Sequence, residues 1–246
     1  MHEFMNTNIW ATEDKSFNIG CRVIKWDEPE GLSFLNLRQL YTYRNWDYET
    51  LKDKLKQFTI HWSVTYRAKH MFSGLKARGY SCNFMIDDDN VEGYATIYQN
   101  LPIQHAGWSQ GTGLNALGPG VEISYMPNAW DEDMYDENDQ KKWNVPSHPT
   151  TTAIVHGTKL KVHLPTDAQM NSLYQLIWGC CELFPNIKPE FPKDKYGVPL
   201  TTNLGNTHTY TGLVNHYHLK RGKIDAAGID MELIEKEVKA RLKTGY

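Results

Sequence analysis

The chain has 246 residues, of which 40% are hydrophobic and 22% charged, a composition typical of a globular protein with one or two domains. A net charge of −3 provides no electrostatic basis for binding nucleic acid or an anionic membrane. No segment approaches the roughly 20 consecutive apolar residues that a membrane-spanning helix requires. These features argue against nucleic acid and membrane as partners.

The four cysteines, Cys21, Cys82, Cys180 and Cys181, include no CxxC pair, and the adjacent two cannot easily bridge each other. We therefore predict reduced, buried thiols rather than a disulfide framework. The N-terminal residues carry neither the basic nor the apolar segment of a signal peptide. We expect a protein that is made in a cytoplasm without a secretion signal.

The first half of the chain predicts an extension followed by alternating elements. Residues 1–54 are aromatic and irregular, and we interpret them as an N-terminal extension that packs onto the main domain, with a helix over 46–56. A buried strand is predicted at 57–62. Residues 65–78 have apolar side chains at i, i+3, i+4 and i+7, which indicates an amphipathic helix.

Three shorter strands follow, and then an insertion. The spacing predicts a hairpin from 83–87 and 94–99, and a further strand over 120–126. Residues 127–150 contain six acids between positions 131 and 139, and we predict an acidic, solvated surface loop. The loop lacks the glycine and bidentate glutamate of an EF-hand, which argues against calcium.

The second half predicts two helices and one strand. Thr166 and Gln169 form a capping box at the start of a helix over 166–184. A last strand is predicted at 213–217, and Asp230 caps a final helix. Since strands and helices alternate, we predict the α/β class: a single domain over 55–246 with a mixed central β-sheet flanked by helices.

Residues with metal-binding chemistry stand at two distant places in the chain. His61 ends the apolar strand at 57–62, while His216, His218 and Asp225 lie near the C-terminus. Two histidines and a carboxylate, with one open position for water, are typical of a catalytic zinc site. His216 and His218 share one face of a predicted strand, so geometry alone does not choose between them.

A carboxylate lies between these two places. Glu122 stands within the apolar run 120–123, where a half-buried charge needs a reason. We interpret it as a general base.

Five motifs in this order resemble the type-2 family of zinc-dependent N-acetylmuramoyl-L-alanine amidases. Phage lysozyme-like amidases and the peptidoglycan recognition proteins also belong to that family. The resemblance covers roughly residues 55–245. The matching segments are 59–63, 83–87, 105–108, 115–123 and 215–228.

The resemblance implies a Zn²⁺ ion held by His61, His216 and Asp225. His216 is favoured over His218 because Asn215-His216 is the nearest match to the Gly-His pair that opens the family motif. His218 would then lie behind the ligands or in the substrate groove.

The resemblance also implies the catalytic and substrate-binding roles. Glu122 would take a proton from the attacking water and pass it to the leaving amine. Lys223 would help to stabilise the tetrahedral oxyanion. The residues expected at the substrate are His105, Trp108, Asn115 and His218.

The implied activity is hydrolysis of the amide between N-acetylmuramic acid and L-alanine in peptidoglycan. Without a signal peptide, we expect a phage endolysin or a virion-associated lysin, which acts on the wall when released or carried by a virion. Residues 1–54 could then dock to a virion or phage-assembly partner. The alternatives are a cytoplasmic amidase that recycles cell-wall fragments, a peptidoglycan-binding module without activity, and a structural virion component.

Overall fold

The computed structural model describes residues 6–37, 46–111, 113–130 and 134–245. The strands in these ranges are β1 (Asn8–Trp10), β2 (Ser16–Asn18), β3 (Val23–Lys25), β4 (Gln57–Trp62), β5 (Phe84–Ile86), β6 (Ile97–Gln99), β7 (Gly120–Ile123), β8 (Thr150–Val155), β9 (Thr158–His163) and β10 (Gly212–Asn215). The helices are α1 (Tyr48–Lys54), α2 (Ala68–Ala77), α3 (Glu137–Trp143), α4 (Asp167–Leu183), α5 (His216–Leu219) and α6 (Met231–Thr244).

A six-stranded mixed sheet in the order β10-β4-β7-β5-β6-β3 forms the centre of the fold. Its neighbouring strands run parallel except for the antiparallel pair β5 and β6. Helices cover both faces: α2 packs on the face that carries Met85, and α4 on the face that carries Phe84 and Ile86. The predicted α/β class with a mixed, helix-flanked sheet is confirmed.

The sheet register determines which side chains share a face. His61 on β4 is opposite Glu122 on β7, and Glu122 is opposite Met85 on β5. Because directly paired residues point to the same side of a sheet, His61 and Glu122 lie on the face that α2 covers. Both residues are the last but one of their strands, so they stand at the carboxyl edge of the sheet.

The helix α4 follows the prediction closely. The Thr166 hydroxyl accepts the N–H of Gln169, and the Gln169 side chain accepts the N–H of Thr166, which is the predicted capping box. The helix ends just before Pro185, which cannot continue it because it has no N–H.

The described part of residues 1–54 packs against α4 and adds an edge strand to the central sheet. The β1–β2 hairpin packs on α4 so closely that a Cβ at Gly179 would lie 2.4 Å from Ile19. The strand β3 pairs in parallel with β6 and thereby extends the central sheet. The predicted helix at 46–56 is observed as α1.

The prediction of a plain surface loop over 127–150 is wrong, because the segment contains α3. The Asp136 side chain caps this helix, and the Tyr66 hydroxyl donates to the Met134 carbonyl at 2.7 Å. The Trp143 ring also stacks on Tyr66 at 5.4 Å. The segment is therefore anchored to the domain; residues 131–133, which belong to its acidic run, lie outside the described residues.

The β8–β9 hairpin follows α3 and was not predicted. Its strands pair from Thr150 opposite His163 to Val155 opposite Thr158, with a turn at His156 and Gly157. All four cysteines are free and buried, as predicted. In the described ranges, no helix is long and apolar enough to span a membrane.

Candidate metal centre and groove

Two neighbouring strands bring the distant histidines together. β4 and β10 run in parallel with Ile60 opposite Asn215, so His61 and His216 both lie at the same carboxyl edge. Crevices outside the carboxyl ends of parallel strands are the usual ligand sites of α/β sheets. The turn after α5 returns the chain to this edge, and Tyr217 N–H donates to the Asp225 carbonyl at 3.0 Å.

Three potential metal ligands converge on one point. His61 Nδ1 lies 3.0 Å from His216 Nδ1 and 3.1 Å from Asp225 Oδ2, and the third side of the triangle measures 2.9 Å. Ligand atoms around a tetrahedral zinc ion are separated by roughly 3.3 Å, given ligand distances of about 2.0–2.1 Å. Two imidazole nitrogens and a carboxylate oxygen at this spacing fit a zinc ion.

The charge states of the buried ligands also suit a cation. Burial, reinforced by the neighbouring His216, lowers the pKa of His61 to about 4, so its imidazole is neutral near pH 7. Burial alone would raise the pKa of Asp225, but hydrogen bonds from His216 and His61 outweigh it and hold that pKa well below its usual value. Neutral imidazole and ionised carboxylate are the forms that bind metal.

Glu122 stands beside this centre with a perturbed carboxyl group. Burial raises its pKa well above the usual value, and the negative charge of Asp225 raises it further. Lys223 and Arg78 act in the opposite direction. A carboxyl group with raised proton affinity at the edge of a groove is suited to proton transfer near neutral pH.

An open groove of about 820 Å³ lies directly over the ligands. Its lining includes His70 and Gly74 of α2, the C-cap residue Arg78, and Trp108 and Lys223 from other segments. The groove therefore gives a large ligand access to the metal ligands and to Glu122.

The predicted substrate residues separate into two groups. Trp108 lines the groove with 36% of its surface exposed, and Lys223 lines it as well. Asn115 does not line it; its side-chain oxygen accepts the N–H groups of Gln110 and Gly111, which do. Asn115 thus shapes the groove from behind.

His105 also lies outside the groove, and its contact with substrate stays a prediction. It is not part of the groove lining, and its carbonyl accepts the side-chain N–H of Asn83 at 2.8 Å. Of the segment 105–108, only the last residue, Trp108, lines the groove.

Of the two positions expected for His218, the structure places it behind the ligands and not among the residues that line the groove. His218 is fully buried; its Nδ1 accepts the N–H of Asn215 at 3.0 Å, and its Nε2 donates to the Leu200 carbonyl at 2.7 Å. The expectation assumed a strand through residue 217, but the strand ends at Asn215. Residues two apart on the helical turn that follows point roughly 200° apart, so His216 faces the centre and His218 faces away.

Sequence reasoning assigned no role to three residues: Gly74 and Arg78, which line the groove, and His156, which contacts Lys223. Gly74 and Arg78 were placed in the α2 helix without a role, although a glycine inside an amphipathic helix is a visible signal. His156 in the unpredicted hairpin turn donates from Nε2 to the Lys223 carbonyl at 3.1 Å, and no local pattern indicated that contact.

No protein-family model and no curated protein matches the chain. Among solved structures it is similar to Staphylococcus aureus hydrolase AmiA in complex with its ligand, at 14% identity and a TM-score of 0.48, over 92% of this chain and 86% of that one. It is also similar to the N-acetylmuramoyl-L-alanine amidase LysC from Clostridium intestinale, at 17% identity and a TM-score of 0.45, over 91% of this chain and 98% of the other. A third similar structure is the endolysin N-acetylmuramoyl-L-alanine amidase LysCS of the same organism. It has 17% identity and a TM-score of 0.40, over 90% of this chain and 95% of the other. Because the identities and TM-scores are this low, the function has to be inferred from the site itself.

Proposed function

We propose that the protein is a zinc-dependent N-acetylmuramoyl-L-alanine amidase, which hydrolyses the amide between N-acetylmuramic acid and L-alanine in peptidoglycan. The observation that carries the proposal is the convergence of His61, His216 and Asp225 beneath an open groove that also contains Glu122 and Lys223. The order of sequence motifs supports the substrate class.

His61, His216 and Asp225 would hold the ion. A zinc ion in such a site acts as a Lewis acid on the substrate carbonyl and lowers the pKa of water. All three side chains are buried, with at most 9% of their surface exposed.

Glu122 is the proposed general base and acid. Its ionised form accepts a proton from the attacking water, and its protonated form then donates that proton to the leaving amine of L-alanine. The raised pKa serves the first step, because a carboxylate with an ordinary pKa would be a weak base near pH 7.

Lys223 is the proposed partner of the developing oxyanion. It lines the groove two residues before Asp225, and its positive charge lowers the pKa of both Glu122 and His61, which places that charge near the reacting groups. A fixed cation near the negative charge that develops in the transition state lowers the barrier.

A peptidoglycan-binding module without activity is the second candidate. The open groove and the exposed Trp108 would serve binding equally well. The complete ligand set, together with Glu122, favours catalysis, because binding alone requires neither. Phage release, virion docking through residues 1–54 and a cytoplasmic origin stay predictions.

The test is digestion of purified peptidoglycan with and without EDTA, followed by zinc restoration and mass spectrometry of the soluble products. We expect free stem peptides with an N-terminal alanine, which disappear with EDTA and return with zinc. His61→Ala and Glu122→Gln should release none, while Glu232→Gln on the exposed side of α6 should match wild type. Binding to peptidoglycan without any product, in the zinc-loaded protein, would support the binding module instead.

A further inference from the structure

The nitrogen that His61 presents to the metal centre determines what its other nitrogen must do. His61 Nδ1 faces His216 and Asp225, at 3.0 and 3.1 Å. A ring nitrogen that binds a metal ion is unprotonated, so the neutral imidazole then carries its proton on Nε2. In the described ranges, His61 Nε2 is buried and has no hydrogen-bond partner. Because a buried N–H without an acceptor is unfavourable, this proton requires an acceptor close by.

Two neighbouring side chains also have buried polar atoms without a partner in the described part of the chain. They are Ser109, through Oγ, and Gln110, through Oε1. Gly120 of β7 shows that they lie close to His61. A Cβ on Gly120 would lie 3.7 Å from His61 Nε2, 3.5 Å from Ser109 Oγ and 3.0 Å from Gln110 Nε2. The three polar side chains therefore meet over one glycine.

This close approach explains why position 120 is a glycine. Gly120 is a buried strand residue without the positive φ that would require glycine. A side chain there would press on the Gln110 amide, which lies only 3.0 Å from the Cβ position. Glycine inside a strand often marks a place where another group approaches closely. Gly120 thus makes room for the side chains behind His61.

The loop that carries Ser109 and Gln110 is held by hydrogen bonds of its own. Asn115 Oδ1 accepts the backbone N–H of Gln110 at 2.8 Å and that of Gly111 at 3.1 Å. Gln110 Nε2 donates to the Gly118 carbonyl at 3.2 Å. Because only the nitrogen end of the amide can face that carbonyl, Oε1 is the end that stays available as an acceptor. The loop therefore holds a hydroxyl and an amide oxygen behind His61.

We propose that Ser109 and Gln110 are positioning residues for the metal ligand His61. His61 Nε2–H donates to Ser109 Oγ, the Ser109 hydroxyl donates to Gln110 Oε1, and Gln110 Nε2 stays anchored on the Gly118 carbonyl. Rotation of the Ser109 side chain closes the first two contacts. Each of the three buried atoms then has a partner of the right kind, since a hydroxyl both accepts and donates.

Such an outer hydrogen bond fixes the tautomer and the ring orientation of a metal-binding histidine. Ser109 and Gln110 would therefore keep Nδ1 of His61 directed at the ion. This inference rests on the proposed function, since it takes His61 to bind zinc through Nδ1.

Thr59 provides the matched control. It lies two residues before His61 on the same face of β4, directly opposite Gly120. Its buried Oγ1 also has no hydrogen-bond partner in the described ranges. The atoms nearest to the Cβ position of Gly120 include Ser109 Oγ but not this hydroxyl. Thr59→Val removes the hydroxyl while keeping the shape of the side chain.

The experiment measures the zinc dissociation constant by competition with a chelator of known affinity. Ser109→Ala should weaken zinc binding about tenfold, as expected for loss of an outer partner of a metal ligand. Gln110→Met should weaken it by a smaller factor, because the serine hydroxyl would stay in place. Ser109→Thr, which keeps a hydroxyl, should bind zinc as wild type does, and so should Thr59→Val.

A second readout separates positioning from a general loss of stability. In zinc-loaded protein with ¹⁵N-labelled histidine, the Nε2 proton of His61 should exchange slowly with water in wild type, Ser109→Thr and Thr59→Val. It should exchange faster in Ser109→Ala. The melting temperature of the metal-free protein should be the same for Ser109→Ala and wild type.

Unchanged zinc affinity in Ser109→Ala would overturn the inference, and so would a loss of affinity in Thr59→Val equal to that in Ser109→Ala. Failure of the proposed function looks different. In that case wild type would bind no zinc, or would bind it without releasing any peptide from peptidoglycan. In the second case the zinc affinities of the variants would still decide the role of Ser109.

Discussion

The two halves of the metal centre are held by different means. His61 and Glu122 stand on paired strands of the central sheet, where backbone register fixes them opposite each other. His216 follows a strand directly, but Asp225 and Lys223 lie on a turn outside any strand. His61 and Glu122 therefore form a strand-borne half, which the sheet positions. Lys223 and Asp225 form a turn-borne half, which depends on neighbours that hold the turn in place.

The β8–β9 hairpin supplies much of that support. His156 donates to the Lys223 carbonyl at 3.1 Å. Gly228, with φ of +86°, packs so closely on the hairpin that a Cβ would lie 2.9 Å from Val162 and 3.1 Å from Thr151. We therefore expect hairpin residues outside the groove to support Asp225 and Lys223 on the turn more than His61 and Glu122 on the sheet.

The largest effect is expected where both halves meet, at Asp225. Asp225→Asn keeps the shape but removes the anionic ligand that both histidines contact. We expect peptidoglycan hydrolysis to fall at least a thousandfold and zinc to be lost on dialysis, measured by metal analysis and product release. Zinc retained at one ion per chain would contradict the assignment of Asp225.

Glu122→Gln tests the strand-borne half without removing a ligand. We expect kcat to fall about 10²–10⁴-fold while zinc stays bound, because a positioned general base contributes that much. Burial raises the Glu122 pKa, and the base works only when ionised, so wild-type activity should fall as pH drops through that raised pKa. If Glu122→Gln showed the same fall in rate at low pH as wild type, a group other than Glu122 would be responsible for that fall.

His156→Asn tests the support of the turn-borne half. Asn-Gly is the preferred sequence of a two-residue hairpin turn, so the hairpin should fold normally while the shorter side chain loses the Lys223 contact. We expect zinc affinity to fall about tenfold, comparable to loss of an outer contact of a metal site. Amide hydrogen exchange over 223–227 should become faster.

His156→Gln is the control for that substitution, since its side-chain N–H can still reach a carbonyl. Zinc affinity and exchange rates close to wild type are expected for it. If His156→Asn also behaved like wild type, the hairpin would not support the turn.

The smallest effect is expected at Gly74, on the helix wall over the strand-borne half. Gly74→Ala places a methyl group in open space, so the free energy of unfolding should rise by roughly 0.5–1 kcal/mol. KM for stem-peptide substrates should rise a few-fold at constant kcat. Chemical denaturation and steady-state kinetics check both, and an unchanged KM would mean that no ligand lies against this wall.

The sequence predicted the strand-borne half better than the turn-borne half, because a strand is recognisable from local pattern whereas the turn depends on distant neighbours. His61 and Glu122 stand in short apolar runs, and a buried strand is recognisable from such a run alone. The position of His218 stayed open between two alternatives, because the end of β10 at Asn215 depends on a turn that local pattern did not reveal.

Longer-range pairings were also out of reach of local patterns. The addition of β3 to the sheet edge depends on pairing with β6, more than 70 residues away in the chain. The hairpin contact at His156 is likewise made across 67 residues. The capping box of α4 shows the converse, because both of its partners lie within four residues.

Zinc binding by His61, His216 and Asp225 is tested most sharply by an anomalous difference map, recorded at the zinc absorption edge from crystals of the zinc-loaded protein. We predict one peak per chain between His61 Nδ1, His216 Nδ1 and Asp225 Oδ2, facing the groove. A peak at His218, a peak elsewhere, or no peak in protein that hydrolyses peptidoglycan would rule out this ligand assignment.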